Sequence, residues 1–511
     1  MKVCLLNDSF PPVIDGVANV VQNYAGIMQR EHLADVMVGT PGYPGADYDS
    51  YPYQVVPYKS FDTTKFINGY RAGNPFVIKE LKELTEFAPD IIHSHCPVSS
   101  TVLARMLRAK VDAPLIFTYH TKFDIDIAKA VKAKFIQKET IKALVNNIEA
   151  CDEIWVVSHG AGENLRSLGF QGDYRVVNNG VDFPKGKATL EMVREVTEGY
   201  DLPEGVPVFL FVGRIVKYKG LPLILDALAK LEEAGQDFRM VFVGSGPDEH
   251  EVKDQARKLG LLRDGQDEEV SENCQPCAKI PSECHSVPGG KCIFTGPIHD
   301  REKLRAWNSR ADLFLFPSTY DTNGIVVREA AACGLASVLI EGSCAAEGIT
   351  HDYNGYMIEE TADSMCELLK VVSKDIDHLH QVGDNAMKEI YISWEESVHA
   401  AVERYHEVIE MKKGGNLAVR KPMMTDRFLD FTVDLLDNTR EMLEQPKRMF
   451  EGMRDNIEEL KDSVEGLKGS VGGLKGSVGG FKESVDGLKD SIGEFTENVK
   501  EELKEEIHKL L

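Results

Sequence analysis

The chain has 511 residues, 43% hydrophobic and 27% charged, which is enough apolar material for at least two buried cores and excludes a wholly disordered chain. Its 58 Lys+Arg against 82 Asp+Glu leave a net charge of −24, which argues against nucleic acid as a partner. No run approaches the roughly 18 apolar residues of a membrane span, and the apolar run before Asn7 is shorter than the about 7–15 residues of a signal peptide. A cytoplasmic protein is expected. Ten cysteines, with Cys4, Cys151, Cys333 and Cys366 inside apolar runs, read as buried thiols rather than a disulfide framework.

Short β-branched runs alternate with amphipathic segments from the start. Residues 2–7, 34–40, 90–96, 114–121, 153–158 and 174–180 read as strands, nearly continuous in apolar character as buried parallel strands are. Between them 17–30 and 99–110 read as helices, the second opening on serines able to cap it. A softer stretch with Pro184, Gly186, Pro203 and Gly205 follows, and then the pattern restarts. Residues 206–214, 238–246, 292–296, 312–318 and 336–340 form the second strand set. The expected fold is α/β: two Rossmann-like, doubly wound domains facing a cleft, over 1–182 and 206–390, with a linker at 183–205 and a helix at 391–413.

Two stretches break the pattern. Residues 263–291 are polar and aperiodic, and carry Cys274 and Cys277 as CxxC, then Cys284, with Cys292 just beyond. They read either as a zinc site or as a plain surface insertion. The tail, 414–511, holds a 3,4 apolar spacing from Ile457 and Leu460 to Phe495 and Val499. β-branched residues at one seam position and Leu or Phe at the other suit a parallel coiled coil, hence a homo-oligomer through 457–499. Seven glycines between Gly466 and Gly480 each cost about 1 kcal/mol of helix against Ala, so an interfacial helix and a disordered tail stay open.

Ligands in open α/β sheets bind beyond the carboxyl ends of the strands, so the residues there carry the chemistry. In the segment 316–334 a helix is expected to begin at about Gly324, exposing the backbone N–H groups of Asn323 and Gly324 to an anion or to sugar hydroxyls. Asp321 on the loop and Glu329 in the helix can accept hydrogen bonds from two separated sets of hydroxyls; the plainer reading makes one a cap and the other a solvated helix residue. Arg214, with Lys217 and Lys219 in a loop ending at Gly220, supplies cations suited to phosphate oxygens. Gly16, just before the first helix, would let a phosphate approach the backbone. His120 ends an apolar strand, as a ligand contact or a core histidine; His93 and His95 read as structural. No metal motif is evident.

Taken together, Arg214 with Lys219–Gly220, residues 316–329, residues 158–182 and the early Pro11–Gly16 stretch resemble the retaining glycosyltransferases of family four, which have the GT-B fold. The resemblance covers roughly residues 1–412. It implies a UDP- or GDP-hexose donor, no bound cofactor, and room for a divalent ion at the diphosphate. Arg214 and Lys219 would stabilise the departing diphosphate. Glu329 would hold the ribose, and Asp321 the transferred sugar. Asn323, Gly324 and Ile325 would line the donor site, Gly16 would admit the diphosphate, and His120 would stand at the reaction centre. Where the family has Glu and an aromatic residue, this chain has Asp321 and Asn323, a departure bearing on the donor sugar.

Residues 122–142 read as one basic amphipathic helix with Lys122, Lys129, Lys132, Lys134, Lys138 and Lys142, either a membrane-surface contact or a solvated face. With the strand end at His120, this resembles the branch that glycosylates diacylglycerol or phosphatidylinositol. The expectation is a peripheral enzyme on the inner face of the membrane, acting on a lipid or cell-envelope glycan. The competing readings are another sugar-nucleotide enzyme of the same fold, such as an epimerase, and a nucleotide-sugar-binding scaffold assembled through the tail.

Overall fold

A computed structural model describes residues 1–13, 15–63, 70–130, 132–262 and 290–417. Cys274, Cys277, Cys284 and the heptad stretch 457–499 lie outside the described residues. The two halves belong to one compact unit.

The first half runs through β1 (Lys2–Leu6), β2 (Asp35–Pro41), β3 (Gln54–Tyr58), β4 (Ser60–Asp62), β5 (Arg71–Gly73), β6 (Ile91–Ser94), β7 (Leu115–Tyr119), β8 (Glu153–Val156) and β9 (Arg175–Val176). Seven of these form a parallel sheet in the order β3-β2-β1-β6-β7-β8-β9, and β4 and β5 form an antiparallel pair. The second half runs through β10 (Val208–Val212), β11 (Arg239–Val243), β12 (Cys292–Gly296), β13 (Leu313–Phe316), β14 (Ser337–Ile340) and β15 (Tyr356–Ile358), a parallel sheet in the order β12-β11-β10-β13-β14-β15. The central strands are buried along their whole length, which explains their unbroken apolar character. β3 escaped the sequence reading because Pro57 argues against a strand, yet an edge strand tolerates it. β15 escaped because it is three residues long.

Two local expectations are corrected. The helix Ser99–Val111 is not capped by its serines. Its N-cap is Val98, without a side-chain cap, and the Ser100 amide donates instead to Asp8 Oδ1 at 2.8 Å. Residues 122–142 are not one helix but parts of two, Phe123–Ala130 and Lys134–Glu149, separated without a Gly or Pro. Cys292 opens β12, as read from the sequence, with its thiol fully buried and its pKa raised by that burial.

Residues 183–205 lie against the second half. Phe183 joins its core, and Tyr200 meets Trp307 edge-on beyond the short helix Leu190–Thr197. The last described helix, Trp394–Lys413, returns to the first half. It starts with a Ser393/Glu396 capping box, and Trp394, Val398, Val402 and Tyr405 share a core with Val3, Leu5, Val21 and Tyr24. The two chain crossings run side by side, Val181 bridging Ser393. A Cβ on Gly180 would stand 2.4 Å from the Trp394 backbone.

Gly180→Ala is therefore expected to cost about 1–3 kcal/mol through forced displacement of the crossing. Gly26→Ala, in the middle of the helix Gly16–Arg30 with open space around the new methyl, is expected to gain about 0.5–1 kcal/mol. Denaturant unfolding of both variants checks the pair; equal shifts would disprove the packing argument.

Candidate functional site

In the second sheet β10 lies between β11 and β13, so the strand order reverses there and the loops after β10 and β13 open into a crevice. The chain leaves β10 through Gly213 and Arg214, makes one tight turn over Lys217–Lys219, and enters the helix Leu221–Glu233 at Gly220. Gly220 has φ 80°, and a Cβ there would meet the Pro317 carbonyl at 2.4 Å, so the two loops touch backbone to backbone. That contact brings Lys219 to the loop after β13. Its Nζ donates to Asp321 Oδ1 at 3.1 Å and sits 5.3 Å from the centre of the Phe316 ring. Asp321 Oδ2 accepts from the Ser318 hydroxyl at 2.6 Å.

Arg214 is exposed and donates to the Tyr218 hydroxyl, whose ring lies 4.5 Å from that of Tyr320. Lys217 is engaged elsewhere, with Glu251. The helix Ile325–Ala332 begins after Gly324, whose φ of 59° is left-handed, with Ile325 half-buried at its head. Asn323 is buried, and neither atom of its amide has a partner among the described residues. Glu329 is 7% exposed, and burial raises its pKa against the opposing pull of the Arg301 guanidinium bonded to it. Arg301 also stands 3.7 Å from Asp182 and over the Phe183 ring.

The first sheet has its own reversal at β1, between β2 and β6. Beyond β1, Asp15 caps the helix Gly16–Arg30 at 2.7 Å and accepts from the Tyr70 hydroxyl at 2.8 Å. Gly16 is exposed with nothing near its α-carbon face. Beyond β7, the His120 carbonyl accepts from the Thr322 hydroxyl at 2.7 Å, and the Ser158 hydroxyl donates to the Thr322 carbonyl at 2.5 Å. Loop 317–323 is thus bonded to the strand ends of the first half. Burial pushes the His120 imidazole down to about 3, so it is neutral.

The structure therefore brings His120, Lys219, Asp321 and Asn323 into one region, with Arg214 exposed at the β10 end and Glu329 deeper along the helix. Sequence reasoning did not name Arg301 or Ser318, and it read His95 as structural. His95 Nδ1 lies 3.0 Å from His120 Nε2, and the alternation of β6 puts His93 and His95 on the same face, their rings 4.0 Å apart. The two-residue spacing was the available signal. Among the basic residues, Lys122 donates to the Thr319 carbonyl at 3.3 Å and so faces the second half. Lys132, Lys134, Lys138 and Lys142 are exposed around Phe135 (60% exposed) and Ile136 (49%). The Lys129 side chain lies outside the description. No described helix is long and apolar enough to cross a membrane, and no metal-binding cluster occurs among the described residues.

Two Rossmann-like halves, each with its strand order reversing at a crevice, have the arrangement of the GT-B fold. The solved structure of Anabaena Alr3699/HepE in complex with UDP has the same fold, with a TM-score of 0.60 and 17% identity over 80% of this chain and 100% of that one. The Glycosyltransferase Family 4 profile matches residues 14–184, and the Glycosyl transferases group 1 profile matches 206–375. The chain belongs to glycosyltransferase family 4. It is 23% identical to the alpha-monoglucosyldiacylglycerol synthase of Streptococcus pneumoniae, over 65% of this chain and 70% of that protein. It is 25% identical to the sulfoquinovosyl transferase SQD2 of Arabidopsis thaliana, over 67% of this chain but only 60% of that protein's length.

A buried carboxylate with a raised pKa opposes folding above that pKa and stops doing so below it. Glu329→Gln removes the charge at every pH, leaving Arg301, which is 43% exposed, to water. The variant is expected to hold or raise the Tm at pH 8 relative to wild type, with the gain shrinking as the pH falls through the raised pKa of the carboxyl and gone below the ordinary unfolded value of about 4.3. Thermal melts across that range check the sign.

Proposed function

We propose that this enzyme transfers a hexose from a UDP- or GDP-hexose to a diacylglycerol-type lipid or envelope glycan, with retention of anomeric configuration. The observation that carries the reading is the contact of Lys219 with Asp321 at the crevice of the second sheet. A cation and a carboxylate side by side match the two ends of a nucleoside diphosphate sugar. The diphosphate takes Lys219 and the exposed Arg214, and sugar hydroxyls take Asp321. The backbone at Asn323, Gly324 and Ile325 offers the amides of a helix start. Glu329, once it shares Arg301 with the ligand, accepts from the ribose hydroxyls. Gly16 gives the diphosphate access to the first helix, and His120 stands at the transferred sugar.

The bond from the sugar C1 to the diphosphate oxygen breaks, and the bond from C1 to the acceptor oxygen forms on the face the diphosphate leaves. The acceptor proton passes to the departing phosphate oxygen. Rate enhancement then rests on holding negative charge at the leaving group, which Lys219 and Arg214 supply. The UDP in the HepE structure favours uridine as the base, and the lipid named for the S. pneumoniae relative favours a diacylglycerol-type acceptor. A divalent ion would add charge at the same diphosphate.

Phe135 and Ile136, exposed among Lys132, Lys134, Lys138 and Lys142, support docking on an anionic membrane surface, apolar rings inserting between lipid headgroups. The enzyme then works as a peripheral protein at the inner leaflet, with the tail serving assembly.

The deciding experiment is nucleotide release and sugar transfer from UDP-, GDP- and ADP-sugars, with and without Mg²⁺ and diacylglycerol vesicles. Lys219→Ala is expected to lower kcat about 10²–10³-fold. Arg214→Ala should share the defect at smaller size. Turnover unchanged in Lys219→Ala, or a free epimerised sugar nucleotide without acceptor, would sink the transferase reading. Phe135→Ser with Ile136→Ser should reduce sedimentation with anionic vesicles and leave acceptor-free donor hydrolysis intact.

A further inference from the structure

Three histidines line the carboxyl ends of β6 and β7. His93 is fully buried and held at both ring nitrogens, Nδ1 at 2.5 Å from the Tyr405 hydroxyl and Nε2 at 2.6 Å from the Thr118 hydroxyl. His95 is 3% exposed and stacks on His120 with ring centres 5.3 Å apart. Its Nδ1 bonds His120 Nε2, while its Nε2 is buried with no partner among the described residues. Tyr24 closes the other side, edge-on to both His93 and His95.

Burial keeps both rings of the His95–His120 bond neutral, so a single proton lies between them. Two arrangements exist. If His120 donates, His95 must carry its own proton on Nε2, and a buried N–H is left without an acceptor. If His95 donates from Nδ1, its Nε2 is left with only an unused lone pair. Orphaned buried N–H groups are rarer and costlier than under-used acceptors, so the second arrangement wins.

We propose that His95 is a positioning residue that fixes His120 in the Nδ1–H tautomer, so that His120 meets the ligand as a hydrogen-bond donor and not as a base. The second clause rests on the reading above that His120 stands at the transferred sugar. There, an Nδ1–H donates to a sugar oxygen as the bond to the diphosphate breaks. His93, clamped by Thr118 on the same strand as His120 and by Tyr405 from the C-terminal helix, keeps His95 from turning away.

The test needs no variant at first. The whole chain, labelled with ¹⁵N-histidine, is read by long-range ¹H–¹⁵N correlation, in which protonated and bare ring nitrogens resonate far apart. The expected result is His120 protonated on Nδ1 and bare on Nε2. A proton on Nε2 overturns the proposal and leaves the site assignment of His120 untouched. Substitution then separates positioning from mere packing. In His95→Asn the amide N–H can occupy the place of Nδ1–H, whereas His95→Gln places its amide where Nε2 was. His95→Asn should keep the His120 tautomer and kcat within about threefold of wild type on the nucleotide sugar turned over in the screen, UDP-glucose being tried first. His95→Gln should return His120 to Nε2–H and lower kcat about tenfold or more at little change in KM, the loss of one donor bond. If both variants only lower the Tm with the tautomer unmoved, His95 is packing and the proposal fails. If His120→Ala turns over donor as wild type does, the site reading of His120 fails while the tautomer result stands by itself.

Discussion

Lys219 and Asp321 lie about a hundred residues apart in sequence and meet because β10 and β13 are neighbours in the second sheet, Leu210 registered on Phe314. Their side chains are 14% and 24% exposed, so each charge has lost much of its water. In such surroundings the mutual attraction and the cost of desolvation roughly cancel. The pair then contributes little to stability, and exchanging one partner for a ligand group costs little. The close approach of Gly220 to Pro317 is what keeps the two loops at this separation. Without it, the cation and the carboxylate would each face solvent and would present no joint surface to a bipolar substrate.

The same loop is one of the links between the halves. Thr322 is bonded on one side to His120 and on the other to Ser158, and Glu347 accepts from the amides of His159 and Gly160 at the start of the next helix. Every one of these bonds uses a strand end or helix start of the first half and the switch-point side of the second. A ligand seated on loop 317–323 therefore cannot shift that loop without loading the strand ends that carry His120. The two halves are thus linked at their facing strand ends through these polar contacts.

The two-sheet plan was legible because parallel strands buried on both faces leave a run of apolar residues that little else imitates. The Lys219–Asp321–Glu329 set was legible because strand carboxyl ends are the fixed address of ligands in such sheets. What failed to show has identifiable causes. Asp8 capping the helix Ser99–Val111 and Arg301 reaching Glu329 are contacts between segments distant in sequence, invisible to local pattern. The break between Phe123–Ala130 and Lys134–Glu149 carries no Gly or Pro to mark it. His95 was visible as half of a two-residue repeat, but its partner His120 belongs to another strand, and only the sheet order joins them.

The helix Trp394–Lys413 belongs to the core of the first half although about 200 residues of the second half separate it from β9. At ~5–20 residues per second, a ribosome needs roughly 10–40 s to make that interval. For that time the nascent first half exposes the bed that Trp394, Val398, Val402 and Tyr405 will fill. His93 lacks its Tyr405 clamp throughout. The amino-terminal half is thus a late-finishing body, sealed only after its partner has been synthesised, and chaperone engagement during translation would centre on this open groove.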